Sequence, residues 1–355
     1  MSMPSQTPPG RFAWTFHPAA ALTTDATCHE AWDQLNARSG AQPFLDARAV
    51  ALALEVFGTG DERLAVARRG DETLAMMVLS RNDPFRWTSF QPSQLPLGAW
   101  LATPGTDLGP LTRSLLAALP GFALIVSLTQ ADPLALPRPA DGPALRTDDY
   151  IDTGWVELAG SYEDYWSARG KNLRQNMRKQ RNKLATDGIT ANLRTLTAAG
   201  DMAAAVARYG ELESAGWKSG LGTAIHAGND QGRFYTRLLE DAAGQGEAVV
   251  FEYWLDNSLA ASNLCLRRDG TLIILKTTYD ERHAQLSPAF LLLQAEIESF
   301  FTDGSVSRIE FFGRMKDWHT RWTECRRALY HITAYRSTWV RSVSELRRRH
   351  AGSTT

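Results

Sequence analysis

The sequence predicts a mixed α+β (α/β mixed) fold in two parts, each a mostly antiparallel sheet flanked by helices. Three observations carry this. A chain of 355 residues that is 44% apolar and 10% aromatic can fill two ordinary cores. Segments with apolar residues at helical spacing alternate with short β-branched runs joined by Gly- and Asp-containing turns. Residues 131 to 147, ADPLALPRPADGPALRT, are rich in Pro and Asp and mark the boundary between the parts.

Residues 1 to 11 are a Pro/Ser-rich tail, expected to be disordered, before an extended segment begins at Phe12. Helices follow at Thr27 to Ser39, with Trp32 and Leu35, and at Ala47 to Phe57, ended by Gly58. Leu64 to Ala67 and Thr73 to Leu79 flank an Arg69-Gly70-Asp71 turn and read as a hairpin. Residues 91 to 98, QPSQLPLG, form a structured turn; Leu108 to Leu119 is helical and Phe122 to Leu128 a buried strand.

The second part starts near Tyr150. Ser161 and Asp164 make a capping-box-like start to a short helix carrying Tyr162, Tyr165 and Trp166. A longer helix runs from Lys171 to a C′ glycine, Gly188. At 100° per residue, Lys171, Arg174, Arg178 and Arg181 share an arc of roughly 80°, beside a narrower stripe of Leu173, Met177 and Leu184. That basic edge is either a solvated face or the border of a cleft for an anion, since arginine suits phosphate.

Thr190 to Leu196 is extended and Asp201 to Ala215 helical, leading into a glycine-flanked loop with Trp217 and Lys218. After a helix from Gly232 to Ala243, strands Ala248 to Trp254, Leu259 to Arg267 and Thr271 to Tyr279 form a meander turned at Asp256-Asn257 and Asp269-Gly270. Ser307 to Phe312 and Leu329 to Tyr335 are further strands, and Arg341 to His350 closes the chain as a helix.

The chain is organised around residues 271 to 302. Strand Thr271 to Tyr279 passes through a polar loop to Ser287-Pro288, which suit the N-cap and first position of the helix that follows, with small Ala289 next. A strand delivering a small-residue turn into a helix start offers backbone N–H groups and a positive dipole end to a phosphate.

Composition narrows the function. A formal net charge of −1 gives no global reason for a DNA partner. Cys28, Cys265 and Cys325 lack metal or disulfide spacing, so no metal is expected and a reduced cytoplasm fits. No apolar run reaches the roughly 20 residues of a membrane span.

The pieces SYEDYWSARGKNLRQNMRKQRNKL, GWKSGLGTAI, RFYTRLLEDAAGQG, LKTTYDERHAQLSPAFLLL and FFGRMKDWHTRWT occur in that order over residues 155 to 336. Together they resemble the CelD-type acetyltransferases of cellulose and exopolysaccharide biosynthesis, a branch of the GNAT superfamily related to Fem-type aminoacyltransferases. Relatives typically carry Ser-Pro-Gly where this chain has Ser287-Pro288-Ala289, and the lysine and tyrosine often seen before the closing tryptophan are replaced. The resemblance implies two tandem GNAT-like domains, a degenerate one over 12 to 147 and an acyl-CoA-binding one over 148 to 340, then a C-terminal helix and tail over 341 to 355.

It also implies direct transfer of an acetyl or other acyl group from acyl-CoA, the co-substrate, to an amine of a small molecule, amino sugar or polysaccharide precursor. Ser287, Pro288, Ala289 and Phe290 are then expected at the pyrophosphate, with Lys276, Arg174, Arg178 and Arg181 at phosphates of CoA or of an anionic acceptor. Asp280 and Glu213 are candidate bases, and Tyr279 a donor to the oxyanion or leaving thiolate. Trp217, Lys218, His283, Trp318 and Trp322 are candidates for contacting the acceptor. Two other readings stay open: an aminoacyl-tRNA-dependent Fem-type transferase, and a non-catalytic binding or scaffold protein.

Overall fold

The computed structural model describes residues 12–215, 225–226 and 228–352, and the chain divides into two compact units, residues 1–150 with 328–355, and residues 151–327. In chain order the first unit contains β1 (Ala13–Pro18), α1 (Ala21–Thr24), α2 (Ala26–Arg38), α3 (Ala47–Phe57), β2 (Arg63–Arg69), β3 (Glu72–Asp83), β4 (Arg86–Ser89), β5 (Trp100–Ala102), α4 (Leu108–Ala118) and β6 (Ile125–Ala131). β7 (Leu145–Glu157) leads into the second unit, which holds α5 (Tyr162–Ser167), α6 (Lys171–Thr186), β8 (Ala191–Leu196), α7 (Ala199–Ser214), α8 (Asp230–Ala243), β9 (Ala248–Leu255), β10 (Ser258–Arg268), β11 (Thr271–Tyr279), α9 (Pro288–Asp303) and β12 (Arg308–Glu310). β13 (Arg326–Tyr335) and α10 (Thr338–Gly352) return to the first unit. Sequence reading placed strand Leu329 to Tyr335 in the second domain. The strand instead pairs antiparallel with β6, a partner that a local pattern cannot name.

In the first unit the strand order is β1-β2-β3-β4-β6-β13, antiparallel except for the parallel β4/β6 pair, with β5 on β3. Its core sets Met77, Trp87 and Trp100 of the sheet against Leu111 and Leu115 of α4. Asp25 and Asp107 cap α2 and α4 by accepting first-turn N–H groups.

In the second unit the order is β7-β12-β11-β10-β9-β8, antiparallel except for the β12/β11 pair. The meander turns as its sequence requires: Asp256, Asp269 and Gly270 all take positive φ, the geometry of tight hairpins whose twist matches the strands. Ser161 caps α5 by accepting from the Asp164 N–H, and α6 ends at Gly188 with φ 69°. One face of α6 buries Leu173, Met177 and Leu184 with Leu291, Ile297 and Phe300 of α9, leaving its basic edge outward. Each unit is thus a mixed, mostly antiparallel sheet flanked by helices, as the sequence predicts.

Candidate functional site

The site arises where two neighbouring strands part. β11 and β12 run parallel, but they pair only from Thr271 with Arg308 to Ile273 with Glu310. Two local features separate them beyond that point. Leu264 of β10 faces Lys276 while Cys265 faces Ile274, so Leu275 is an extra residue, a bulge that bends β11. On the other side Phe312 takes φ 48° and the Gly313 N–H turns back to donate to Phe311 O, while Met315 N–H donates to Asp152 O in β7. The chain after β12 therefore follows β7 and leaves β11.

Between the parted segments lies a cavity of about 670 Å³. Its walls are Ile274 to Thr277 and Tyr279 of β11 on one side and Phe311, Gly313, Arg314, Lys316, Trp318 and His319 on the other, and Ser287, Pro288, Ala289 and Phe290 close it at the start of α9. The volume falls in the range usual for small-molecule sites. Three cations line it: Lys276, whose ammonium also sits 5.6 Å from the Tyr235 ring centre, and Arg314 and Lys316 of the closing segment.

Ser287 does not cap α9 with its side chain. The residues before it, Glu281–Leu286, form a 3-10 turn that Ser287 closes by donating its N–H to Ala284 O, which puts it at φ 54°, ψ 52°. A side-chain cap needs extended backbone at that position, so one residue cannot close the first turn and cap the second. Its hydroxyl instead accepts from Asn176 Nδ2 of α6 at 3.5 Å. Phe290 and Leu291 donate back to Ser287 O and Pro288 has no N–H, which leaves the Ala289 N–H with no partner among the described residues.

His319 is the one histidine lining this cavity, and sequence reading missed it. Its Nδ1 takes the Lys316 N–H at 2.9 Å, and its ring lies against Trp318 at 3.6 Å between centroids and edge-on to Phe311 at 4.8 Å. Burial pushes its pKa down to about 4, so the ring is neutral at pH 7 and carries its proton on Nε2.

The other sequence candidates are distributed as follows. Tyr279 is 40% exposed on the cavity wall, and Trp318 lines it. Asp280 is buried, caps the 3-10 turn at the Arg282 N–H and pairs with the Arg282 guanidinium at 2.7 Å, which holds its carboxyl below the usual range. A carboxylate so held is a weak base. His283 stands 4.0 Å from it. Glu213 is buried at the end of α7, where it accepts the Ile225 N–H at 2.7 Å, and it does not line the cavity.

Trp322 is wholly buried, packed on Phe290 and Trp166; it is a core residue out of a ligand's reach. Arg174, Arg178 and Arg181 line a different hollow with Trp166, Lys171 and Gln294, and Arg181 is paired with Glu298 at 2.7 Å. They do not line the cavity closed by the Ser287–Phe290 turn, with which the sequence groups them. Trp217 and Lys218 lie outside the described residues.

Residues 171–320 match the family described as an acetyltransferase (GNAT) domain, which spans α6 through the segment that closes the cavity. A search of curated proteins found no match. Among solved structures, the C-terminal domain of a protein assigned as a lysylphosphatidylglycerol synthetase from Agrobacterium fabrum superposes with a TM-score of 0.52 at 12% identity, covering 86% of this chain and 92% of that one. A conserved protein of unknown function from Bacteroides thetaiotaomicron gives 0.54 at 9% identity, covering 90% and 99%. At such identities these likenesses speak for the fold alone. Over residues 171–320, within the second unit, the chain is thus similar to GNAT-type acetyltransferase domains.

Proposed function

We propose that this chain transfers an acyl group from acyl-CoA directly to an amine, acting in the cytoplasm on a small molecule, amino sugar or polysaccharide precursor of the kind handled by CelD-type relatives. The observation that carries this reading is the parting of β11 from β12 around the cavity. Strand edges opened in this way present unpaired N–H and C=O groups, and a pantetheine arm, with its two amides, pairs with them as a short extra strand would. Burial of the arm on Ile274 and Phe311 adds apolar contact.

The CoA pyrophosphate then meets the Ala289 N–H and the positive end of α9, and Arg314 and Lys316 neutralise its charge from across the cavity. Lys276 holds a third positive charge on the β11 wall. On this reading the thioester sits beside Tyr279, whose hydroxyl donates to the departing sulfur. Asp280, tied to Arg282, serves this reading as a positioning group for the loop, and the attacking amine gives its proton to solvent or to a group of the acceptor site. His319 adds an Nε2–H dipole to the wall without adding a charge.

Thiol release from acetyl-CoA and longer acyl-CoAs, measured over a panel of amines and amino sugars, tests the reading. Turnover with one amine class, reduced at least tenfold in Tyr279→Phe, supports it. Acyl-CoA binding without thiol release for any amine would turn the reading to a binding or scaffold role.

A further inference from the structure

The first unit carries an exposed apolar surface that the acyl-transfer reading does not use. Four of the large hydrophobic residues exposed in this unit carry the surface: Trp339 at 72%, Phe122 at 63%, Leu346 at 57% and Phe85 at 51%. They lie at one corner of the unit. Leu124 and Ile125 N–H groups both donate to Phe85 O, which ties the segment after Phe122 to the turn between β3 and β4. Phe85 and Trp339 together line a cleft of about 730 Å³ between that turn and α10. Along α10, Trp339, Val343 and Leu346 follow each other at i, i+4 and i+7 and form one apolar stripe.

Cations frame this corner. Arg336 lies over the Phe122 ring at 4.6 Å and donates to Ala123 O; Arg81 donates to Pro84 O; Arg86 and Arg347 line the cleft. None of these arginines is paired with a carboxylate among the described residues. The one acid in the cleft, Asp83, accepts the Phe85 N–H. Glu345, the acid of α10 nearest the stripe, is committed to Arg341 and Arg146.

We propose that this corner docks on an anionic lipid surface. Aromatic side chains standing out from a helix and two turns, with an aliphatic stripe behind them and arginines around them, match an interface that is apolar below and negatively charged above. A symmetric contact with a second copy would set the same patch against itself and so bring arginines onto arginines. A single-stranded nucleic acid would use the aromatic faces but make no use of the aliphatic stripe behind them.

The test is cosedimentation of the full chain with vesicles of phosphatidylcholine alone or mixed with phosphatidylglycerol, at low and high salt. Binding is expected only to the mixed vesicles, weakening with salt. Trp339→Ser and Phe122→Ser should each lower it by tenfold or more, and Arg347→Ala by about fivefold. Circular dichroism spectra and urea unfolding curves should be unchanged in all three, which shows that the variants fold. Binding to neither vesicle overturns the proposal, as does binding indifferent to these substitutions. A dimer in light scattering that Trp339→Ser dissolves, or an oligonucleotide bound in place of vesicles, overturns it in favour of those partners.

Discussion

Glu296 gives the second unit a pH-dependent weakness that can be measured without any ligand. It lies on the face of α9 that packs on β10, has no solvent exposure, and accepts one hydrogen bond, from Asn263 Nδ2 at 2.8 Å; its other oxygen has no partner among the described residues. Burial raises its pKa from 4.5 to about 8. The folded protein therefore binds a proton that the unfolded chain releases between those values. Stability from this group is whole below about pH 4.5 and is lost as pH rises through 8. At about 1.4 kcal/mol for each tenfold change in proton affinity, the loss amounts to about 5 kcal/mol, on the order of half of a typical domain's stability. Glu296→Gln keeps the shape and the acceptor for Asn263 but cannot ionise. Urea unfolding at pH 5, 6.5 and 8 should show the wild type losing stability relative to the variant across the series, with the gap widest at pH 8. Parallel curves for the two proteins would refute the assignment of a buried, protonated carboxyl.

Three further outcomes follow from single contacts. Gly210 of α7 has no room for a side chain, since an added Cβ would stand 2.6 Å from Ile225 O, a backbone atom; Gly210→Ala should cost about 2 kcal/mol in unfolding experiments, against the gain expected from alanine in an open helix. Nitrogen-15 NMR of His319 should show a neutral ring protonated on Nε2 from pH 5.5 to 8, and an imidazolium signal at pH 6 would contradict its burial. Because its folded pKa is depressed to about 4, this group lowers stability as pH falls from about 6.5 toward 4. Arg327, nearly buried, pairs with Glu310 at 3.0 Å beside the point where β12 ends; Arg327→Met leaves that carboxylate with only Arg308 and should destabilise by about 3 kcal/mol.

The elements of the second unit were legible because each had a local cause. Asp256-Asn257 and Asp269-Gly270 state their turns in the sequence, Gly188 states the end of α6, and the β-branched run after Thr271 states a strand. β7 was missed: its central Thr147-Asp148-Asp149 and Asp152-Thr153-Gly154 break the alternation, and the strand is held by partners far along the chain, Val156 facing Ile309 and the Asp152 carbonyl receiving Met315 N–H. The extra residue Leu275 left no mark either, since a bulge follows from register against β10. At the site, the helix start at Pro288 was readable from Ser-Pro, but the left-handed Ser287 was not, because it depends on the 3-10 turn before it. Arg314, Lys316 and His319 sit in an irregular segment without periodicity, so only the fold brings them opposite Ser287 to Phe290. Trp322 shows the reverse error: a tryptophan in a loop looked available, yet it closes the core under Phe290.

Calorimetric titration of acetyl-CoA into the wild type and into Ala289→Glu tests the central claim most directly. A carboxylate at the first turn of α9 would stand where the pyrophosphate is placed and oppose it at the positive end of the helix. The account predicts saturable, salt-weakened binding to the wild type and a loss of at least tenfold in the variant. A folded wild type that binds no acyl-CoA, or a variant that binds as tightly, would contradict it.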